Sequence, residues 1–210
     1  MKKMILVIIA TTFLINMTIA QEQLLDLRNK VTFGIKGGVN LSNVYDSKQD
    51  NFNTNSKLGL TGGVFLGLPL GTYLGLQPEV LYSQRGYKET GSFLKSEFTR
   101  TTNYLDVPVL LAIKPSPVLS ILAGPQFSFL LDGKYDFKSN ILSGQLTQDF
   151  NNEDVRKNTL CLTGGLDLNL ENLVLSGRAG WDLKENNNNG SSNTPRYKNV
   201  WLQATIGFRF

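Results

Sequence analysis

Eight charged side chains stand within otherwise apolar, alternating stretches of this 210-residue sequence: Lys36, Glu79, Arg85, Asp106, Asp167, Arg178, Asp182 and Arg209. Two neighbouring carboxylates can divide the acid and base steps of a hydrolysis, and Glu79 with Asp106 is the pair to weigh. Basic groups among acids can instead neutralise them, giving an ion-paired interior or a polar path for small ions. Histidine is absent. That excludes a Ser-His-Asp triad, His-ligated zinc and any imidazole base. Cys161 is the only cysteine, so no intrachain disulfide can form, and its strand context points to burial or lipid contact. The acids Asp46, Asp50, Asp132, Asp136, Glu153 and Asp154 fit no twelve-residue calcium loop and read as solvated charge. Gly37-Gly38 and Gly62-Gly63 precede no helical pattern, so a phosphate-binding loop is rejected. No metal and no cofactor are expected.

The elements that must position these charges are strands. From Val31 onward apolar residues recur in period two over eight runs of about ten residues, as strands require. Phe33, Ile35, Val39 and Leu41 oppose Lys36 and Asn40; Leu74, Leu76, Val80 and Tyr82 oppose Gln77, Glu79, Ser83 and Arg85. Leu105, Val107, Val109 and Leu111 oppose Tyr104 and Asp106, and Leu166 and Leu168 oppose Asp167. Leu175, Ala179 and Trp181 oppose Arg178 and Asp182; Leu202, Ile206, Phe208 and Phe210 oppose Gln203, Thr205 and Arg209. Glu79 and Asp106 fall on neighbouring strands, and Lys36 and Arg209 on the pair that would close a ring.

Ahead of these runs, Lys2 and Lys3, an apolar stretch from Met4 to Ile15 and Thr18-Ile19-Ala20 make residues 1–20 an expected signal peptide, cleaved after Ala20. Residues 21–30 form a short N-terminal segment, and 31–210 the fold. Losing Lys2 and Lys3 takes 21 basic side chains to 19 against 17 acids, and no Lys/Arg cluster marks a nucleic-acid site.

Links between runs alternate in length. Ser42–Lys57, Lys88–Phe98, Asp132–Lys157 and Glu185–Arg196 are long and polar, the last with the Asn186–Asn189 tract; Pro69–Thr72, Pro115–Pro117 and Glu171-Asn172 are short. Transmembrane barrels show this asymmetry, with tight turns on the periplasmic side and long loops outside. It predicts an all-β, eight-stranded antiparallel up-and-down barrel with both termini periplasmic. A soluble lipocalin-like or avidin-like cup is the rival fold. The near-absence of charge on the apolar face favours lipid contact, because Arg or Lys there costs about 2–4 kcal/mol at the bilayer midplane. Strand glycines such as Gly63 and Gly165 suit a crowded inward face. Tyr73, Tyr82, Tyr104, Phe127, Phe129, Trp181 and Phe208 are candidates for interface girdles.

The first strand Phe33-Gly34-Ile35-Lys36-Gly37-Gly38-Val39-Asn40 carries a family likeness. So do the stretch Leu76-Gln77-Pro78-Glu79-Val80-Leu81-Tyr82-Ser83-Gln84-Arg85-Gly86, the segment Tyr104-Leu105-Asp106-Val107-Pro108-Val109, Ala123-Gly124-Pro125 and Leu162-Thr163-Gly164-Gly165. Together they resemble the PorT-type outer-membrane β-barrel ("porin family") proteins of the Bacteroidota, over nearly all of 31–210. The resemblance implies an outer-membrane location and a single barrel, with a link to protein secretion through PorT itself; the word porin is no evidence for a wide channel. The terminal Phe208-Arg209-Phe210 resembles the C-terminal strand by which barrel-assembly machinery recognises its substrates. Barrel enzymes that modify outer-membrane lipid depend on a histidine, so an enzyme is not expected. The expected role is structural or interactive, with outer-membrane lipid around the barrel and a protein partner at the outer loops, Asp132–Lys157 above all. The alternative is a narrow channel or ligand-binding barrel using the inward charges.

Overall fold

The computed structural model describes residues 26–45, 54–91, 96–138, 143–148, 157–185 and 197–210. The expected signal peptide, the Asn186–Asn189 tract, Asp46, Asp50, Glu153 and Asp154 lie outside the described residues. Among the described residues every element is a strand: β1 (Thr32–Tyr45), β2 (Thr54–Pro69), β3 (Leu74–Gly91), β4 (Ser96–Ile113), β5 (Leu119–Lys138), β6 (Ser143–Gln148), β7 (Asn158–Leu170), β8 (Leu173–Asp182) and β9 (Lys198–Arg209). Each pairs antiparallel with its neighbour, and β1–β9 together with β4–β5 close the ring β1-β2-β3-β4-β5-β7-β8-β9. This is an eight-stranded closed barrel. The remaining strand, β6, lies outside the ring and adds to the far part of β5, Gly133 to Lys138, alone. Closure pairs the edges that an open sheet would leave without hydrogen bonds in lipid.

The ring closes with a stagger. Phe33 faces Leu66 on β2; round the other way, Leu162, Trp181 and Val200 stand in line and meet β1 at Asn43, well beyond Phe33. Such a stagger tilts the strands and sets the bore of a barrel this small.

The two faces are inverted relative to a soluble protein. Outward lie Leu60 (64% exposed), Leu202 and Ile206, while Arg85 (0%), Asn40 and Asp106 are buried inside. Alternation along β8 and β9 is strict. Apolar side chains facing out and hydrogen-bonding ones facing in is the arrangement lipid demands, and the soluble cup is thereby excluded.

Three expected loops were too long. β3 and β4 run on as a ladder to Gly91 opposite Ser96, which removes most of Lys88–Phe98 from the loop. β5 continues to Lys138 and takes β6 on its flank, inside Asp132–Lys157; β1 reaches Tyr45 and β2 starts at Thr54. Thr99, Thr101 and Thr102 are β-branched, and a ladder that pairs its own backbone needs no apolar face once it leaves the bilayer. The β7–β8 link is the expected Glu171-Asn172 turn, with Glu171 in the left-handed region at φ 54°, a conformation a non-glycine residue adopts at a cost.

The inward glycines divide by what they clear. At Gly63 a Cβ would strike the Val80 carbonyl of the adjacent strand, and at Gly165 that of Gly177. They relieve backbone crowding between strands. Gly180 does serve the lumen: a Cβ there would enter the Trp201 indole.

Candidate functional site

The eight inward charges separate into two clusters and one outlier. Nearer the end away from the short turns, Arg85 Nη2 lies 2.5 Å from Asp106 Oδ2, and its Nη1 is 3.9 Å from Asp182 Oδ1. Asp182 is itself held: Cys161 Sγ donates to it at 3.1 Å, and the Asn199 backbone N–H and Nδ2 donate at 3.0 and 2.6 Å. The Arg85 guanidinium sits 3.6 Å from the centroid of a Trp201 ring and 4.9 Å from that of Tyr104. An aromatic sandwich is a good setting for a buried guanidinium, whose flat faces are weakly hydrated.

Nearer the short turns, Lys36 Nζ meets Glu79 Oε1 at 2.6 Å, and Arg178 Nη2 meets Asp167 Oδ1 at 2.6 Å and Glu79 Oε1 at 3.9 Å. Gln77 Nε2 donates to both Glu79 (2.9 Å) and Asp167 (3.2 Å), joining β3 to β7 across the lumen. Glu79 and Asp106 are therefore separated into different clusters, each acid against its own base. A carboxylate dyad is not assembled. Lys36 and Arg209 also part: Arg209 turns to the mouth, giving Nε to Glu171 O (2.8 Å) and Nη1 to Asn169 Oδ1 (3.0 Å).

Apolar and aromatic layers fill the remaining bore. Leu110, Ala112 and Leu122 pack together at the turn end, and Val44, Tyr87 and Tyr197 at the outer end. Trp201, Phe65, Leu81 and Leu110 were missed by counting charges. Their signal was present, since each shares the parity of Arg209, Gly63, Glu79 or Asp106 on its strand. Tyr104 is corrected: it faces inward beneath Arg85 and belongs to no girdle. The other girdle candidates face outward; Tyr82, Phe127, Phe129 and Trp181 sit well along their strands from the short turns, while Tyr73 and Phe208 lie near that end. Phe208 and Phe210 meet edge to face at 5.1 Å, and Phe210 stacks on Phe33 at 6.4 Å across the closing seam.

Some lumen hydrogen-bonding capacity is unused. Among the described residues Arg85 Nε, Arg178 Nε, Asn40 Oδ1 and Asp106 Oδ1 have no hydrogen-bond partner. Cys161 is a buried free thiol. No group of three metal-ligating side chains converges among the described residues.

Below the lumen, residues 26–31 cross the turn-end mouth. Arg28 binds Asp26 through Nε and Nη2, at 2.8–3.2 Å, and its guanidinium stands 5.4 Å from the Tyr73 ring centroid. Hydrogen bonds from Arg28 hold Asp26 below the usual carboxylate range. Lys114 Nζ donates to Arg28 O at 3.3 Å. Burial, then the charges of Arg209 and Arg28, push Lys114 below the ordinary lysine range.

A closed, lipid-facing barrel with a polar interior defines the class of transmembrane outer-membrane barrels. Residues 19–193 match the family described as outer membrane protein beta-barrel domain, and the chain belongs to that family. Its place is the outer membrane. Among solved structures it is similar to Ail, the attachment invasion locus protein of Yersinia pestis (17% identity, TM-score 0.49, covering 85% of this chain and 98% of that one). It is likewise similar to OprG of Pseudomonas aeruginosa (14%, 0.48, 85% and 95%) and to Neisserial surface protein A (14%, 0.47, 85% and 97%). At such values the likeness extends to no function. No curated protein matches the chain.

Proposed function

We propose that this chain is a non-enzymatic outer-membrane barrel with a structural or interaction role, an accessory to protein secretion or envelope assembly. The observation that carries this reading is the occupied bore, in which the Arg85 guanidinium lies against Tyr104 and Trp201 and pairs with Asp106 and Asp182. The lumen charges Lys36, Glu79, Arg85, Asp106, Asp167, Arg178 and Asp182 serve in this reading as an internal brace. A barrel whose interior is committed to its own stiffness acts through its ends. The β5–β6 ladder within Asp132–Lys157 supplies the surface for a protein partner.

The short turns gather at one end with both ends of the described barrel, and we place that end in the periplasm. Phe208 and Phe210, exposed on the last strand, are the contact for barrel-assembly machinery. The PorT-like motifs support kinship with the Bacteroidota proteins and, through it, the secretion role. Deleting the gene and comparing secreted and surface proteins tests this. Selective loss of a subset is expected; an unaltered set overturns the accessory role. Lipid A and phospholipid acylation should not change, and a change there would restore the enzyme reading.

The unpartnered Arg85 Nε, Arg178 Nε and Asp106 Oδ1 favour a second reading, a narrow water-lined path for small ions. Unitary conductance steps that vanish on Arg178→Ala are its signature.

A further inference from the structure

We propose that the turn-end mouth of the barrel is a binding site for one phosphate group, held by Lys114 and Arg209 with Arg28 at its rim. Charge matching singles the place out. Within the bore Lys36 meets Glu79, Arg178 meets Asp167, and Arg85 meets Asp106 and Asp182; outside it Arg28 meets Asp26. Among the described residues, Lys114 and Arg209 are in ion-pair contact with no carboxylate.

Both line one small cavity, of about 30 Å³, together with Arg28, Gln77, Asn169 and Asp167. That space holds roughly two waters or the end of one anionic group. Asp167, the one acid in the lining, is already engaged by Arg178 at 2.6 Å.

The cations are positioned before any ligand arrives. Glu171 O and Asn169 Oδ1 fix Arg209 through Nε and Nη1, leaving Nη2 for a further acceptor. Asn169 is held in turn by Nδ2 donating to Ser120 Oγ at 3.0 Å. Lys114 uses one of its three donors on Arg28 O. Gly75 keeps its place open, since a Cβ there would stand 3.0 Å from Nζ. The cations that line this mouth repel one another: burial first, then the charges of Arg209 and Arg28, lower the proton affinity of Lys114. An anion relieves it, and a guanidinium beside an ammonium matches a phosphate's oxygens. The group can come from free phosphate or from a phospholipid headgroup at the bilayer edge, where basic pockets capture such groups.

The test uses the folded mature protein in zwitterionic micelles, titrated calorimetrically with inorganic phosphate. Saturable binding at one site is expected, weakened at least tenfold by Lys114→Gln and lost in Lys114→Gln/Arg209→Gln. Lys198→Gln, at the opposite end of β9, should leave it unchanged. Retained heat-shifted gel migration shows that each variant is folded, and Lys114→Gln, in a turn, suffices if the double variant does not fold. Absence of saturable binding by the wild type, or undiminished binding by Lys114→Gln, overturns the proposal. Nanodiscs containing phosphatidylglycerol separate the sources. A headgroup in the site blocks added phosphate, whereas a site for the free anion keeps its affinity.

Discussion

The middle of the lumen and its turn-end mouth hold similar charges under different rules. In the middle, Arg85 is wholly buried and meets two carboxylates and two aromatic rings. At the mouth, Lys114 has for neighbours a carbonyl, two like charges and, with the weakest effect, the carboxylate of Asp26, which Arg28 already engages. A charge without access to water must find its counter-charge in the fold, because unpaired burial costs several kcal/mol. A charge at a water-filled opening can leave the task to solvent or to a ligand. Depth, more than residue type, separates bracing charges from those free to bind.

The largest effects are expected deep in the lumen. Asp106→Ala leaves Arg85 only the more distant Asp182 carboxylate and should cost about 3–5 kcal/mol, read as a lowered urea midpoint for refolding into vesicles. Replacing both partners, Arg85→Met with Asp106→Leu, should recover most of that loss; an equal loss in the double variant would deny that pairing is the issue. Next comes the lipid face. Val109→Arg, on an outward mid-strand position, should cost about 2–4 kcal/mol at the bilayer midplane by the same unfolding measurement.

The mouth should respond weakly and with the opposite sign. Lys114 has a folded pKa below its unfolded value, so its charged form is disfavoured by folding. That cost is present below the folded pKa and is relieved as pH rises through it. Lys114→Gln should therefore stabilise the phosphate-free barrel near neutral pH, by less than about 1 kcal/mol after solvent screening. A clear destabilisation would show that Lys114 braces the fold after all. The smallest effect concerns Asp26, whose folded pKa is depressed by Arg28. The stability that this pair gives the segment across the mouth is present above the unfolded value of 3.8 and lost as pH falls through the folded one. An NMR titration following Arg28 and Tyr73 should show the segment releasing only in acid.

Much of this was legible in the alternation. Eight runs became eight barrel strands, and the charge-free face became the outer one, because period two fixes which side chains share a side. For Cys161 the sequence left burial and lipid contact open, and the structure buries it. The pairings were harder to read. Strand order suggested Glu79 beside Asp106 and Lys36 beside Arg209, yet long side chains reach past the adjacent strand, so that Lys36 of β1 meets Glu79 of β3. Trp201 and Phe65 escaped notice because they are apolar residues on the polar parity, which a count of charges passes over; Tyr104 was set on that face and yet also counted towards a girdle. The outer ladders were misread as loops because polar, threonine-rich sequence loses its two-faced signature once both sides meet water.

Planar-bilayer recording of the wild type beside Arg85→Ala/Trp201→Ala tests the closed, braced lumen most directly. The account predicts no unitary steps from the wild type and resolvable steps once the clamped guanidinium and its indole are removed. Stable steps from the wild-type barrel at the same voltage, unchanged in the double variant, would contradict it.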